Sequence, residues 1–176
     1  MTNSTLETIN NRRSTRSFAD KKIDREALEV ISSSAYKAPT GMNKQTWKFT
    51  VVQNKDLLRE LYTYIAEKQN RGSSYNFYNA DTLIIATGLK DNPFSVEDCA
   101  CALENMFLAA ESLGIGSVWI NQLNNLNDDA GFRSLLSKIG ITDAYNVYGS
   151  CALGYPAADA KTTPTPKNED VISWYL

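Results

Sequence analysis

The sequence predicts one domain of the α/β or α+β class, a β-sheet covered by helices, over residues 1–176. Segments with helical spacing of apolar residues alternate along the chain with short runs of β-branched and aromatic residues, as in helices packed on a sheet. The length of 176 residues fits a single domain. The hydrophobic content of 43% and the charged content of 22% are those of a globular protein.

The first half of the chain contains three predicted helices, one loop and one strand. Asp24 and Asn54 are predicted N-caps, because their side chains can accept hydrogen bonds from the first free backbone N–H groups of a helix. Leu28, Ile31 and Ala35 form an apolar stripe after Asp24. In order, the predicted elements are a helix over Thr2–Asn10, a helix after Asp24, a loop over Ala38–Lys44, a strand over Trp47–Val52 and a helix after Asn54.

The strongest helical pattern lies in the second half, where apolar residues recur at helical spacing from Val96 to Leu113. This helix is expected to be central, and Gly114 and Gly116 are expected to end it. The other predicted elements are a candidate flap over Gln69–Asn79, strands over Thr82–Thr87, Ser117–Ile120 and Asn146–Leu153, a helix over Leu126–Ile139, and a tail from Gly154 with the apolar end Val171, Ile172, Trp174 and Tyr175. The apolar end needs a docking surface, which a partner subunit or a groove of the same chain could supply.

The charge and hydropathy patterns argue against two classes of partner. The net charge is -2, whereas binding to nucleic acid or to an anionic membrane favours a basic surface. No stretch approaches the ~20 apolar residues that span a bilayer. The polar first ten residues lack the apolar core of a secretory signal. We therefore expect a cytoplasmic protein that binds neither nucleic acid nor a membrane.

The chain contains no histidine and three cysteines. Without histidine, Ser-His-Asp and Cys-His catalysis are excluded, and the usual general base near neutral pH is missing. Cys99, Cys101 and Cys151 lack the CxxC spacing of zinc and redox sites, so small buried thiols and no metal site are predicted. If the protein is an enzyme, its chemistry is expected to come from a cofactor.

The first candidate site is the segment Arg12–Phe18, RRSTRSF, at the exit of the opening helix. Guanidinium groups form paired, charge-assisted hydrogen bonds with phosphate oxygens, and hydroxyls can fill the remaining acceptors. The segment is therefore a candidate phosphate site, with a solvated basic turn as the alternative interpretation.

The second candidate is the segment Ala38–Trp47, APTGMNKQTW, directly before a predicted strand. The side-chain amides of Asn43 and Gln45 both donate and accept hydrogen bonds, which matches the mixed edge of a heterocycle. A turn that caps the sheet edge, with Trp47 in the core, is the alternative.

The third candidate is the segment Gly114–Gln122, GIGSVWINQ. It lacks the GxGxxG spacing and follows a helix rather than a strand, so it does not match the dinucleotide-binding fingerprint. Its glycines predict instead a tight helix end beside a ligand or a sheet.

In order and spacing, these three segments and the segment CALGYPA, over Cys151–Ala157, resemble the landmarks of the nitroreductase family of flavoproteins. The resemblance runs from about Glu7 to Trp174. It implies an α+β sandwich with a mostly antiparallel central sheet and a C-terminal tail that crosses to the partner in a homodimer. It also implies two FMN molecules in the subunit interface.

The resemblance implies a role for each matching residue. Arg12 and Ser14 match residues that hold the phosphate and ribityl chain, and Arg13 matches a neighbouring contact. Arg16 matches a basic residue near the pyrimidine edge of the flavin. The strip contributed by the other subunit corresponds to Pro39, Thr40, Gly41, Asn43 and Gln45. The segment beside the flavin ring and its N5 atom corresponds to Trp119, Ile120 and Asn121.

The chain departs from the family pattern in three places. Thr46 stands where the family usually has proline, which is expected to loosen the turn. The family commonly completes the phosphate site with an arginine or lysine of the tail; the clear match is missing here, where Lys167 or Lys161 could serve. The insert that often shapes the substrate pocket is small or absent.

The activity implied by the resemblance is that of an FMN-dependent oxidoreductase. NAD(P)H would deliver hydride to flavin N5, and a small acceptor such as a nitroaromatic or a quinone would then receive the electrons in ping-pong turnover. The reaction needs no acid-base residue at its centre, which agrees with the missing histidine. Two alternatives are a flavoprotein of the same fold with other chemistry (dehalogenation, ene reduction or flavin breakdown) and a flavin-binding protein without turnover.

Overall fold

The computed structural model describes residues 2–161 and 166–176. The helices are α1 (Ser4–Asn11), α2 (Arg25–Ala35), α3 (Lys55–Lys68), α4 (Ser95–Ser112) and α5 (Ala130–Lys138). The strands are β1 (Trp47–Val52), β2 (Thr82–Leu89), β3 (Gly116–Ile120) and β4 (Tyr145–Gly154). Short 3-10 turns lie at Gly41–Asn43, Phe77–Asn79 and Asn124–Leu126. The order of helices and strands is the predicted one.

The four strands form an antiparallel sheet in the order β1-β2-β4-β3. This arrangement confirms the α+β class and the mostly antiparallel sheet. Strand β2 is central and is buried on both faces because its side chains alternate between two cores. Leu83 and Ile85 enter one core, whereas Ile84 and Ala86 enter the other.

The helices cover both faces of the sheet. On one face, α2 and α4 pack with fully buried side chains such as Ile31 and Met106. On the other face, α3 and α5 pack with Ile65 and Phe132, which are also fully buried. Helix α4 contacts α2 and all four strands, so its predicted central position is confirmed.

The last helix begins later than the sequence predicts. Helix α5 starts at Ala130, and Asp129 caps it by accepting a hydrogen bond from the backbone N–H of Phe132 at 2.9 Å. The chain before it is held by Asn127, whose amide exchanges two 2.8 Å hydrogen bonds with the backbone of Val147 in β4. A side-chain amide bound to a distant strand is a tertiary contact, which helical periodicity over Leu126–Ile139 does not reveal.

The cysteines are only partly as predicted. Cys99 and Cys151 are buried, but Cys101 is exposed, so the prediction of a buried thiol was wrong there. Two residues along a helix correspond to about 200°, which places Cys101 on the opposite face of α4 from Cys99.

The candidate flap Gln69–Asn79 is anchored in the core near its end. Phe77 is 1% exposed and meets the rings of Tyr62 and Tyr75 edge to face. The side-chain amide of Gln69 donates to the backbone oxygen of Gln122 at 2.7 Å. Movement of this segment as a flap stays a prediction.

The apolar end of the tail is exposed in the single chain. Val171, Ile172, Trp174 and Tyr175 are between 65% and 96% exposed. The described part of the single chain does not cover this apolar end, so its docking surface stays a prediction. Among the described residues, no helix combines the length and the apolar character required to cross a membrane.

Candidate cofactor site

The basic segment Arg12–Phe18 runs along the edge strand β3. Arg12 ends α1 and turns the chain into an extended conformation, with φ -56° and ψ 134°. Ser14 pairs with Ser117 in a parallel bridge, and the backbone N–H of Thr15 donates to the oxygen of Ser117 at 2.8 Å. A Cβ at Gly116 would lie 2.8 Å from the hydroxyl oxygen of Thr15, so glycine allows this close approach.

A cavity of about 210 Å³ opens where the basic segment meets β3 and α4. The described residues that line it are Arg12, Ser14, Glu104, Phe107, Val118 and Trp119. Arg12 is bound there by Glu104, with 3.5 Å between Nε and Oε1. The structure therefore brings three of the predicted site residues, Arg12, Ser14 and Trp119, to one place.

Trp119 forms one wall of this cavity. Its ring centroid lies 6.0 Å from that of Phe107, and a Cβ at Gly149 would lie only 2.6 Å from its ring. The indole N–H donates to the side-chain oxygen of Asn121 at 3.3 Å, and 38% of Trp119 is exposed. Ile120 is 1% exposed and packs in the α3/α5 core, so its contact with the flavin stays a prediction.

The loop with Pro39, Thr40, Gly41, Asn43 and Gln45 lies at the start of α4. Met42, Asn43 and Gln45 have positive φ angles of 53°, 54° and 51°. Non-glycine residues adopt this conformation only where other contacts hold them. The backbone N–H of Gly41 donates to Asp98 at 2.8 Å, and the Gln45 amide donates to the Asn43 side-chain oxygen at 3.0 Å. Pro39, Asn43 and Gln45 are exposed, whereas Thr40 is half-buried.

Thr46, which replaces the usual proline, has a specific partner. Its hydroxyl oxygen accepts a 2.7 Å hydrogen bond from the side-chain amide of Asn92. Asn92 is 8% exposed and also donates to Asp98 at 3.3 Å. The expected loosening of the turn is therefore offset by a bond that proline could not make.

The loop and the cavity occupy different positions along α4. Asp98 anchors the loop, whereas Glu104 and Phe107 line the cavity six and nine residues farther along the helix (98 to 104 and 98 to 107). At 1.5 Å rise per residue, these spacings are about 9 and 13 Å. The described residues that line the cavity include none from the loop.

The remaining predicted residues lie near the surface. Arg13 is half-buried, and Arg16 and Asn121 are exposed. Lys161 and Lys167 are exposed on either side of residues 162–165, which lie outside the described residues. None of these five residues lines the 210 Å³ cavity within the described part of the chain, so their roles stay predictions.

Buried thiols near the sheet offer no ready nucleophile. Burial, together with the charge of Asp98, raises the pKa of Cys99 to about 12. Burial also raises the pKa of the Cys151 thiol well above its ordinary value. Both groups therefore stay protonated near neutral pH, which agrees with the expectation that a cofactor supplies the chemistry.

A larger cavity of about 470 Å³ lies between α3 and the segment after Phe77. Among the described residues that line it, Phe18 ends the basic segment, and none is a residue for which a cofactor contact is predicted. Two of its cations are already paired, Lys55 with Asp20 at 3.3 Å and Arg59 with Asp56 at 2.6 Å. Its size alone assigns no chemistry to it.

Glu104, Phe107 and Asp98 lie at the candidate cavity or its neighbouring loop, but the sequence alone does not single them out. All three lie on α4, where the apolar periodicity predicts packing and gives no sign of a ligand. Glu104 looks like one acidic residue of a solvated helix face. Only its position opposite Arg12 in the folded chain distinguishes it.

The fold is that of an α+β protein whose sheet edge carries a basic segment beside a small cavity. The sequence profile of the Nitroreductase family matches residues 9–155. The chain belongs to the nitroreductase family, and the predicted resemblance is confirmed.

Individual relatives agree with this assignment. A nitroreductase from Bacteroides fragilis NCTC 9343, solved with bound FMN, has a TM-score of 0.95 and 38% identity over 99% of this chain and 100% of that one. A relative from Archaeoglobus fulgidus, provisionally named an NADH dehydrogenase/NAD(P)H nitroreductase, is 34% identical over 86% of this chain and 84% of its own. An iodotyrosine deiodinase from Thermotoga neapolitana is 24% identical over 93% of each chain.

Proposed function

We propose that this protein is an FMN-dependent oxidoreductase that transfers electrons from NAD(P)H to a small acceptor such as a nitroaromatic or a quinone. The observation that carries the proposal is the cavity at Arg12, Ser14 and Trp119 in a chain of the nitroreductase family. When bound, FMN supplies the two-electron redox chemistry. The protein's own residues then need only to bind, orient and shield it.

The residues of the cavity fit the phosphoryl end of FMN. A guanidinium and a hydroxyl supply the charge-assisted and neutral donors that phosphate oxygens require. The volume of about 210 Å³ is below the ~300–1,000 Å³ of pockets that enclose a drug-sized ligand. The cavity can thus take one end of FMN, and the flavin ring must lie outside it, against the exposed part of Trp119.

Other residues would position the rest of the cofactor. Arg12 and Ser14 bind the phosphate with Arg13 beside them, and Lys167 of the tail completes the site. Arg16 places a positive charge near the pyrimidine edge of the ring. The backbone at Asn121 orients the ring beside N5. A preorganised positive charge at this edge favours electron transfer into the ring.

The primary test is whether purified protein holds FMN and loses it when the phosphate site is removed. We expect yellow protein whose flavin absorbance is bleached by NAD(P)H. Arg12→Ala/Ser14→Ala should lose the flavin, because the charge-assisted bonds are gone. The control Arg25→Ala/Ser33→Ala removes the same groups from α2, where Arg25 is exposed and Ser33 is half-buried, and should keep it. A native protein that is colourless and takes up no added FMN would exclude the proposal.

We further propose that the site is shared by two copies of the chain. The loop with Asn43 and Gln45 is anchored away from the cavity on the same α4, and the apolar tail end is exposed. A second copy could supply the loop to the first copy's cavity and cover the tail. The expected particle has twice the 19.6 kDa mass of the chain, measurable by sedimentation.

Sharing can be tested by complementation. One variant carries Arg12→Ala/Ser14→Ala, and the other carries Asn43→Ala/Gln45→Ala. If the site is shared, the mixed dimer contains one site with all four side chains intact. Co-expression should then restore FMN binding that neither variant shows alone. Failure to restore it in dimers proven to be mixed would mean that each site belongs to one chain.

The deiodinase relative supports a second candidate, reductive dehalogenation on the same site. Purified protein can be assayed for NAD(P)H oxidation with nitroaromatics, quinones and halogenated phenols side by side. Halide release coupled to NAD(P)H consumption, without turnover of nitroaromatics or quinones, would favour dehalogenation. Bound flavin that NAD(P)H cannot reduce would instead indicate a flavin-binding protein without turnover.

A further inference from the structure

The cavity at Arg12 contains an acidic side chain of its own. Glu104 lines the cavity, and its Oε1 lies 3.5 Å from Nε of Arg12. We propose that Glu104 is a resident anion that competes with the FMN phosphate for Arg12 and thereby limits how tightly FMN is held. This inference rests on the proposed function, because it assumes that Arg12 binds the phosphate.

The exposure of the two partners favours competition. The side chain of Arg12 is 23% exposed, whereas that of Glu104 is 54% exposed. Arg12 is thus held between α1 and α4, while Glu104 can turn toward solvent when another anion arrives.

Charge and distance set the direction of the effect. A phosphate monoester carries about -1.5 to -2 charges near neutral pH. Within a cavity of about 210 Å³, its oxygens come within several ångströms of the Glu104 carboxylate. This separation is shorter than the ~8 Å Debye length at physiological ionic strength, so the repulsion is only partly screened. Glu104 therefore weakens binding twice, by repelling the phosphate and by occupying Arg12.

Glu104→Gln tests the inference, because it removes the charge and nearly preserves the shape. Flavin is stripped from the purified protein, and FMN is titrated back while its fluorescence is followed. We expect the dissociation constant for FMN to fall about two- to fivefold, the range of a partly exposed charge interaction. Glu104→Asp keeps the charge and should bind like the wild type. The difference between Glu104→Gln and the wild type should shrink as salt is added.

Two controls separate competition at the phosphate from a general effect. Riboflavin lacks the phosphate, so its affinity should be the same in Glu104→Gln and in the wild type. Glu97→Gln removes an equal charge from an exposed position on the same helix and should leave FMN affinity unchanged.

Equal or weaker FMN binding by Glu104→Gln would overturn the inference, as would equal tightening of riboflavin. Tightening by Glu97→Gln to the same extent would overturn it too. If the wild type itself binds no FMN, the proposed function fails instead.

Discussion

Asp98→Ala is expected to destabilise the protein and to release the loop at the start of α4. The Asp98 carboxylate is 4% exposed and accepts hydrogen bonds from the Gly41 backbone N–H at 2.8 Å and from the Asn92 amide at 3.3 Å. Each bond to a charged acceptor contributes about 1.5–3 kcal/mol, and the longer bond lies at the lower end, so we expect a loss of about 3–4.5 kcal/mol. For a chain of this size, that loss lowers Tm by about 6–18 °C.

Urea unfolding followed by circular dichroism measures this loss of stability. A second substitution at the same position should cause a smaller loss. Asp98→Asn can still accept from Gly41, but its amide N–H₂ faces the donor of Asn92, so about 1 kcal/mol should be lost. The control Glu97→Ala removes an exposed carboxylate from the same first turn, where the helix dipole contributes only about 0.3–1 kcal/mol. An Asp98→Ala protein no less stable than Glu97→Ala would refute a role for Asp98 in holding the loop.

Three further changes have defined outcomes. Gly149→Ala places a methyl group against the ring of Trp119 and should lower the free energy of unfolding by about 1–3 kcal/mol in a urea titration. The pKa of Asp129 is lowered mainly by a hydrogen bond from Tyr64. Hydrogen bonds from Lys68 and from the backbone N–H of Phe132 lower it further. Ionised Asp129 therefore stabilises the folded protein at pH values above the unfolded pKa of about 3.9, and this contribution is lost as pH falls through the folded pKa. The stability difference between wild type and Asp129→Asn should shrink in acid; a constant difference would contradict this. Burial raises the pKa of Cys99 to about 12, so iodoacetamide at pH 8 should label this thiol in unfolded but not in native protein.

The parts of the fold that follow from local chemistry were predictable from the sequence. Asp24 and Asn54 cap α2 and α3 as expected, because an N-cap bond joins residues two or three positions apart. Strand β1 has the predicted bounds, since its β-branched and aromatic run is unambiguous. The start of α5 was not predictable, because the amide of Asn127 binds the backbone of β4, twenty residues away.

The candidate site divides in the same way. Arg12 and Ser14 could be predicted as candidates because phosphate recognition needs particular residue types close together in the sequence. Glu104 and Asp98 could not, since a single acid on an amphipathic helix is most often solvated. Thr46 is a third case. The sequence shows that it replaces the usual proline, but the hydrogen bond from Asn92 that holds it is seen only in the folded chain.

The proposed sharing of the site would couple FMN binding to subunit association. In the proposed site, a cavity of about 210 Å³ would take only one end of the cofactor, and the loop predicted to contact the ring is anchored at Asp98, about 9–13 Å along α4 from the cavity residues Glu104 and Phe107. If a second copy supplies that loop, FMN binds the dimer more tightly than the monomer. Linkage then requires that FMN stabilise the dimer by the same factor, because a ligand favours the state that binds it. Flavin-free protein should therefore dissociate at a higher protein concentration than the FMN complex in sedimentation equilibrium. Equal dimer dissociation constants with and without FMN would place the entire flavin site within one chain.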